Sequence, residues 1–170
     1  MAKKKNKTQS LAVGAIALFF GVLALCLGGF LAAVKVGGGD STLTGFQAAF
    51  GYSVKTDVVI STIVTEVCTF NFMIMLALFL PVIGGVLAIF KGKLFGFIAL
   101  AAFVAGAVLM FLIPTLVKST LVTAGVSDWI EGIIGGDASV STALGVGAIV
   151  GGVLSVLGAL TAGYKTFFLK

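Results

Sequence analysis

Histidine and arginine are both missing from this chain of 170 residues; all 11 basic residues are lysine. Their absence excludes a histidine general base, a histidine-ligated metal and a bidentate guanidinium clamp on phosphate or carboxylate. Cysteine is nearly absent too, with Cys26 and Cys68 alone. Cys26 falls about 14 Å inside the first apolar run at helical rise, whereas Cys68 stands at the outer edge of the second. A disulfide needs Cα atoms within about 7 Å, so two unpaired, buried thiols are expected. The sequence contains no GxxxxGK[ST] nucleotide loop, and no serine or cysteine with a base close by in sequence. These gaps predict no enzyme, no cofactor, no metal site and no small-molecule substrate.

Charge is the other scarcity. Charged residues make up 10% of the chain, where a soluble domain carries about a quarter. What fills the space is apolar: 59% of residues, gathered into four runs. Runs of about 20 residues match the roughly 30 Å hydrocarbon core of a bilayer. The expected fold class is an all-α membrane protein, a four-span transmembrane helical bundle. Short external helices or a small extended segment are expected in the first external loop. The polar flanks place a basic cytoplasmic leader at 1–9 and a single four-helix domain at 10–170. Its spans are expected at 10–34, 69–90, 94–117 and 140–164, with external loops at 35–68 and 118–139.

Lysine placement sets orientation. Lys3, Lys4, Lys5, Lys7, Lys91, Lys93, Lys165 and Lys170 share one side of a four-span arrangement, and Lys35, Lys55 and Lys118 the other. The lysine-rich side is the cytoplasmic one, so both termini are expected in the cytoplasm of a plasma (cell) membrane. The net charge of +5 then belongs beside anionic lipid, and nucleic acid is not an expected partner. A cleaved signal peptide is disfavoured, because the first apolar run exceeds the usual length and no small-x-small site follows it cleanly. "LALC" also has bulky Leu25 where a lipoprotein box wants a small residue.

In the first loop, "TGFQAAFG" predicts a short helix with Thr44 as N-cap, Gln47 completing a capping box and Gly51 as the stop. Phe46, Ala49 and Phe50 would share its face. "TDVVISTIVTEVCT", which follows, is rich in Val, Ile and Thr and suits a strand. It also runs into the second span without a breaker, and that continuity favours a helical extension from near Thr56. In the second loop, "SDWIEGII" pairs Asp128 with Glu131 and clusters Trp129, Ile130, Ile133 and Ile134. This suits a short helix lying in the interface, and an ordinary aromatic-belt anchor is the favoured reading; with Phe46 and Phe50, residues Trp129, Ile130 and Ile133 are the candidate external interface.

The fourth run, "ALGVGAIVGGVLSVLGALTAGYK", places Ala143, Gly147, Gly151, Ser155, Ala159 and Gly163 four apart. Apolar side chains gain little by leaving lipid for one another, so small-xxx-small columns that let backbones approach supply the association. Each four-residue step drifts about 40°. The column therefore serves two neighbours in succession or one right-handed crossing. Ala24, Gly28 and Ala32 in the first span, and Ala102 with Gly106 in the third, are its natural mates. Packing inside one bundle is favoured over contacts between chains. Pro81, inside the second span, marks a kink, read as static rather than as a gating hinge. Pro114 shapes the exit of the third span.

No ionisable residue falls inside the four runs, which disfavours an ion-coupled carrier. The outline is similar to claudin-like tetraspan proteins in topology only. Trp129, the sole Trp, lies in the second loop, so the claudin first-loop Trp and Cys signature is absent and no family residue carries over. The expected role is a non-enzymatic structural, scaffold or accessory subunit. Its partners would be the lipid bilayer and either itself or other membrane proteins. A homo-oligomeric passive channel or pore subunit is the alternative.

Overall fold

A computed structural model describes residues 2–36, 42–58, 61–118 and 142–169. Four helices dominate: α1 (Ala2–Phe30), α3 (Phe72–Ile89), α4 (Lys93–Phe111) and α6 (Val146–Phe168). Each holds a segment long and apolar enough to cross a membrane, of 23, 18, 19 and 23 residues in chain order. Among the described residues, two short helices, α2 (Gly45–Phe50) and α5 (Ile113–Lys118), accompany five strands. The strands are β1 (Ala32–Val36), β2 (Thr42–Thr44), β3 (Tyr52–Val58), β4 (Ser61–Cys68) and β5 (Thr142–Leu144).

The four long helices form a ring in which each packs on its chain neighbours and α6 closes back onto α1. Burial explains how they meet. On α1 the buried positions include Gly14, Ala17, Gly21, Ala24 and Gly28; on α6 they include Ala148, Gly151, Ser155, Gly158, Ala162 and Lys165. Both series alternate steps of three and four, the seam of near-parallel packing with a left-handed twist. α4 repeats it at Gly96, Ala99, Phe103, Gly106 and Met110. Large side chains point the other way: Phe19, Val22, Ile83, Val86, Val104, Val108, Val153 and Leu160 are all exposed. Phe103, Met110, Ile74 and Leu78 are the large exceptions inside; otherwise small residues face inward and large ones outward, the arrangement expected in lipid.

At the end opposite the chain termini, a three-stranded antiparallel sheet of order β2-β1-β5 covers the bundle. Val34 and Leu43 from this sheet join Ala24, Ile74, Leu78, Met110 and Ala148 in one buried cluster. A second cluster near the terminal end gathers Ala17, Ala88, Ala99, Phe103, Ala159 and Ala162.

Several sequence expectations shift. The first span stops at Phe30 rather than residue 34, because Ala32–Val36 leaves the helix to pair with β2 and β5. The fourth starts at Val146 rather than 140, since Thr142–Leu144 is the β1 partner. It also continues past residue 164 to Phe168. Pro114 divides the third span: α4 ends at Phe111, Leu112 turns, and α5 begins at Ile113. Proline cannot donate to the turn before it but is tolerated in a helix's first turn, so the break falls just ahead of it. Residues 56–68 are not a helical extension. β3 and β4 pair antiparallel from Tyr52↔Cys68 to Val58↔Ser61; a β-branched run with a cross-strand partner prefers the sheet.

Candidate functional site

The small-residue seams are where the helices touch most closely, and glycines mark the tightest points. A Cβ on Gly147 would stand 2.8 Å from the Leu31 carbonyl oxygen, and one on Gly151 2.7 Å from Met110 Sδ and 3.2 Å from Gly28 Cα. On Gly158 it would overlap the Phe103 ring, and on Gly152 it would lie 2.8 Å from Phe111 Cζ. Gly147 thus faces the chain just past the end of α1, Gly151 lies between α1 and α4, and Gly152 and Gly158 face α4. The predicted column divides accordingly. Gly147, Gly151, Ser155 and Ala159 are buried, and Gly163 is only half-buried. Ala143 is exposed in β5, opposite Lys35, so it is not a helical contact. Ala32 is likewise a strand residue, paired with Thr44. Ala24, Gly28, Ala102 and Gly106 are buried in their helices.

Sequence reasoning at steps of four missed the upper members of the α1 seam, Gly14, Ala17 and Gly21. The signal was present as small residues three and four apart, and the third helix supplies the reason for them. The Gly14 position closes on the Ala88 carbonyl, and the Gly21 position on the carbonyl of Pro81. From the other side, a Cβ on Gly106 would sit 2.9 Å from Pro81 Cδ. Pro81 is therefore wedged between α1 and α4, buried within an α3 that runs unbroken from Phe72 to Ile89.

Polar groups pin both ends of α3. Asn71 caps its start, Oδ1 accepting from the amides of Met73 at 3.0 Å and Ile74 at 3.3 Å. Its Nδ2 donates to the Leu116 carbonyl at 3.0 Å, tying α3 to α5. At the other end Lys165, 8% exposed, reaches out of α6. Its Nζ donates to the carbonyl of Ala88 and, at 3.3 Å each, to those of Ile89 and Phe90. A cation on the last carbonyls of a helix satisfies orphan acceptors and complements the dipole. Ser155 Oγ donates to the Gly151 carbonyl at 2.9 Å, within its own helix.

The loop end carries an aromatic row. The capping box forms as spelled, with Gln47 N to Thr44 Oγ1 at 3.2 Å and Thr44 N to Gln47 Oε1 at 3.0 Å. Gly51 ends α2 with a φ of 89°, a left-handed value that favours glycine. The Phe46 ring lies over Gly29 and edge-on to Phe30, centroids 5.0 Å apart. Phe50 stacks on Phe46 at 6.2 Å and continues to Phe70 at 6.4 Å. Phe46 is thus a half-buried anchor, while Phe30, Phe50 and Phe70 are exposed. Trp129, Ile130, Ile133 and their capping-box neighbours lie outside the described residues. Of the cysteines, Cys68 is buried and Cys26 is exposed on the outward face of α1, which corrects the expectation of two buried thiols.

A concavity opens on the bundle's side. Between α4 and α6 a groove of about 620 Å³ is lined wholly by apolar residues and Tyr164. Among the described residues no His, Cys, Asp and Glu side chains gather into a group of three or more that could hold a metal ion. No family model matches this chain, and neither a curated protein nor a solved structure matches it.

Proposed function

We propose that this chain is a non-enzymatic, multi-pass membrane protein working as a structural, scaffold or accessory subunit. It sits in the plasma membrane with both termini cytoplasmic and binds other membrane proteins through its helix faces and its loop end. The observation that carries this reading is the filled interior. Glycine and alanine seams bring α1 close to the backbones of α3 and α6, and α3 close to that of α4, while the Phe103, Phe111 and Thr166 side chains fill the space between α4 and α6; every described buried side-chain polar atom has a hydrogen-bond partner. Among the described residues such an interior holds no buried polar side-chain atom left unpaired, which favours a role carried by the surfaces. A pore between copies would need polar or backbone-lined outer faces, and the outward residues Phe19, Ile83, Val104 and Val153 do not supply them.

The test is the mass of the particle extracted from its native membrane in mild detergent. A stable complex with other chains is the expected outcome, and the partner would name the role. A discrete homo-oligomer that conducts would transfer support to the pore reading. A clean monomer would sink both.

A further inference from the structure

The α4–α6 groove raises a question that the bundle does not answer. Its floor is Ala107, Ala159 and Gly163, and Leu100, Val104 and Leu160 stand on its walls. Elsewhere on α6 a glycine is small because a neighbour fills its space. Gly163 is different: a Cβ there would meet only Leu100 Cδ1, at an ordinary 3.6 Å. Internal packing does not require glycine at this position, yet glycine keeps the groove deep.

Shape and charge together select an occupant. From Val156 to Phe168 the groove follows α6 for about 18 Å at helical rise. That is more than half of a roughly 30 Å hydrocarbon core, but short of the ~20 residues of a crossing helix. Phe111 stands at one end and Phe168 at the other. At the Phe168 end, Phe167, which also lines the groove, meets the Phe97 ring edge-on at 5.6 Å. Lys93 precedes Leu100 by seven residues on α4, so it lies on the same face about 10 Å further toward the terminal end. It is exposed, as is Lys91 across the turn, and no acidic residue occurs between Phe90 and Phe97 or between Val156 and Phe168. Lys165 is committed to the α3 carbonyls, which leaves Lys93, among the described residues, as the exposed lysine on the groove's own face of α4.

We propose that this groove binds one acyl chain of an anionic phospholipid, with the headgroup phosphate held at Lys93. The site does not depend on the accessory-subunit reading, and it would serve a monomer or an assembly alike.

The full chain, delipidated in detergent, is titrated with phosphatidylglycerol or phosphatidylcholine and weighed by native mass spectrometry. One retained phosphatidylglycerol per chain is expected, preferred over phosphatidylcholine by about fivefold, the worth of one lysine near an anionic headgroup. Lys93→Gln should abolish that preference. Gly163→Phe should remove the adduct while leaving the melting temperature near that of the parent. Equal retention of the two lipids by the parent, or an adduct that survives Gly163→Phe, overturns the proposal. So does a parent dimer that Gly163→Phe dissociates, which would give the groove to a second copy. Should Gly163→Phe fail to fold, photoactivatable phosphatidylglycerol is crosslinked to the unmodified chain. Label concentrated on 100–111 and 156–168 supports the site, and label spread evenly over the four long helices rejects it.

Discussion

Glycines in α6 do unequal work, and the difference is measurable one residue at a time. Gly151 is caught between Met110 and the backbone of Gly28, so a longer side chain must displace Met110 or push α1 and α6 apart. Gly151→Leu is expected to cost about 1–3 kcal/mol, the usual penalty for overpacking, read as a lowered melting temperature in detergent. Unchanged melting and an unchanged assembly state would end the close-contact account of this seam. Lys165 supports a second residue-scale prediction. Lys165→Met keeps the aliphatic stem but strips the hydrogen bonds from the carbonyls of Ala88, Ile89 and Phe90. Leaving the buried Ala88 acceptor unpaired costs about 1–3 kcal/mol. The loss should appear as faster amide exchange in the last turn of α3, with little change in α1. The sequence marked Lys165 as an end-of-span lysine and could not show this role, because its acceptors lie 75 to 77 residues away along the chain.

Elements were legible to different degrees. The capping box at Thr44 and Gln47 acts over three residues and could be read directly, since both partners are local. The helix start at Asn71 was less visible. Its side chain caps two amides and also holds α5 through Leu116. Asn71→Ala is expected to lose about 1–2 kcal/mol, as other N-cap removals do, and to loosen α5 as well as α3. Hydrogen exchange that slackens at the start of α3 but spares Ile113–Lys118 would show that the tie to Leu116 carries nothing. The span edges at residues 34 and 140 slipped for one common reason. Ala32–Val36 and Thr142–Leu144 are apolar enough to extend a helix, but each is the other's strand partner. Hydropathy registers the burial and is blind to the pairing. The β3–β4 hairpin shows the same limit, because continuity of the chain said helix while composition said strand, and the cross-strand partner decided.

For the whole molecule, the ring of four helices and its outward display of bulky side chains support a bilayer as the solvent. Topology is the prediction to test at this scale. Asn6→Cys, with Cys26 and Cys68 both replaced by alanine, should resist a membrane-impermeant maleimide on intact cells and react once they are permeabilised. Labelling of intact cells would reverse the orientation inferred from the lysines. Composition and run length by themselves determined the class: with so little charge and four long apolar runs, only an environment without water can hold the outer faces. The three-four spacing of small residues in α1 and α6 was also written in the chain, although steps of four were the easier pattern to see. Which neighbour each seam meets, where strands replace helix ends, and that Lys165 closes α3 were decided by tertiary structure alone. Those outcomes depend on partners distant in sequence, and a backbone donor, a carbonyl or a groove between two helices exists only once both sides have come together.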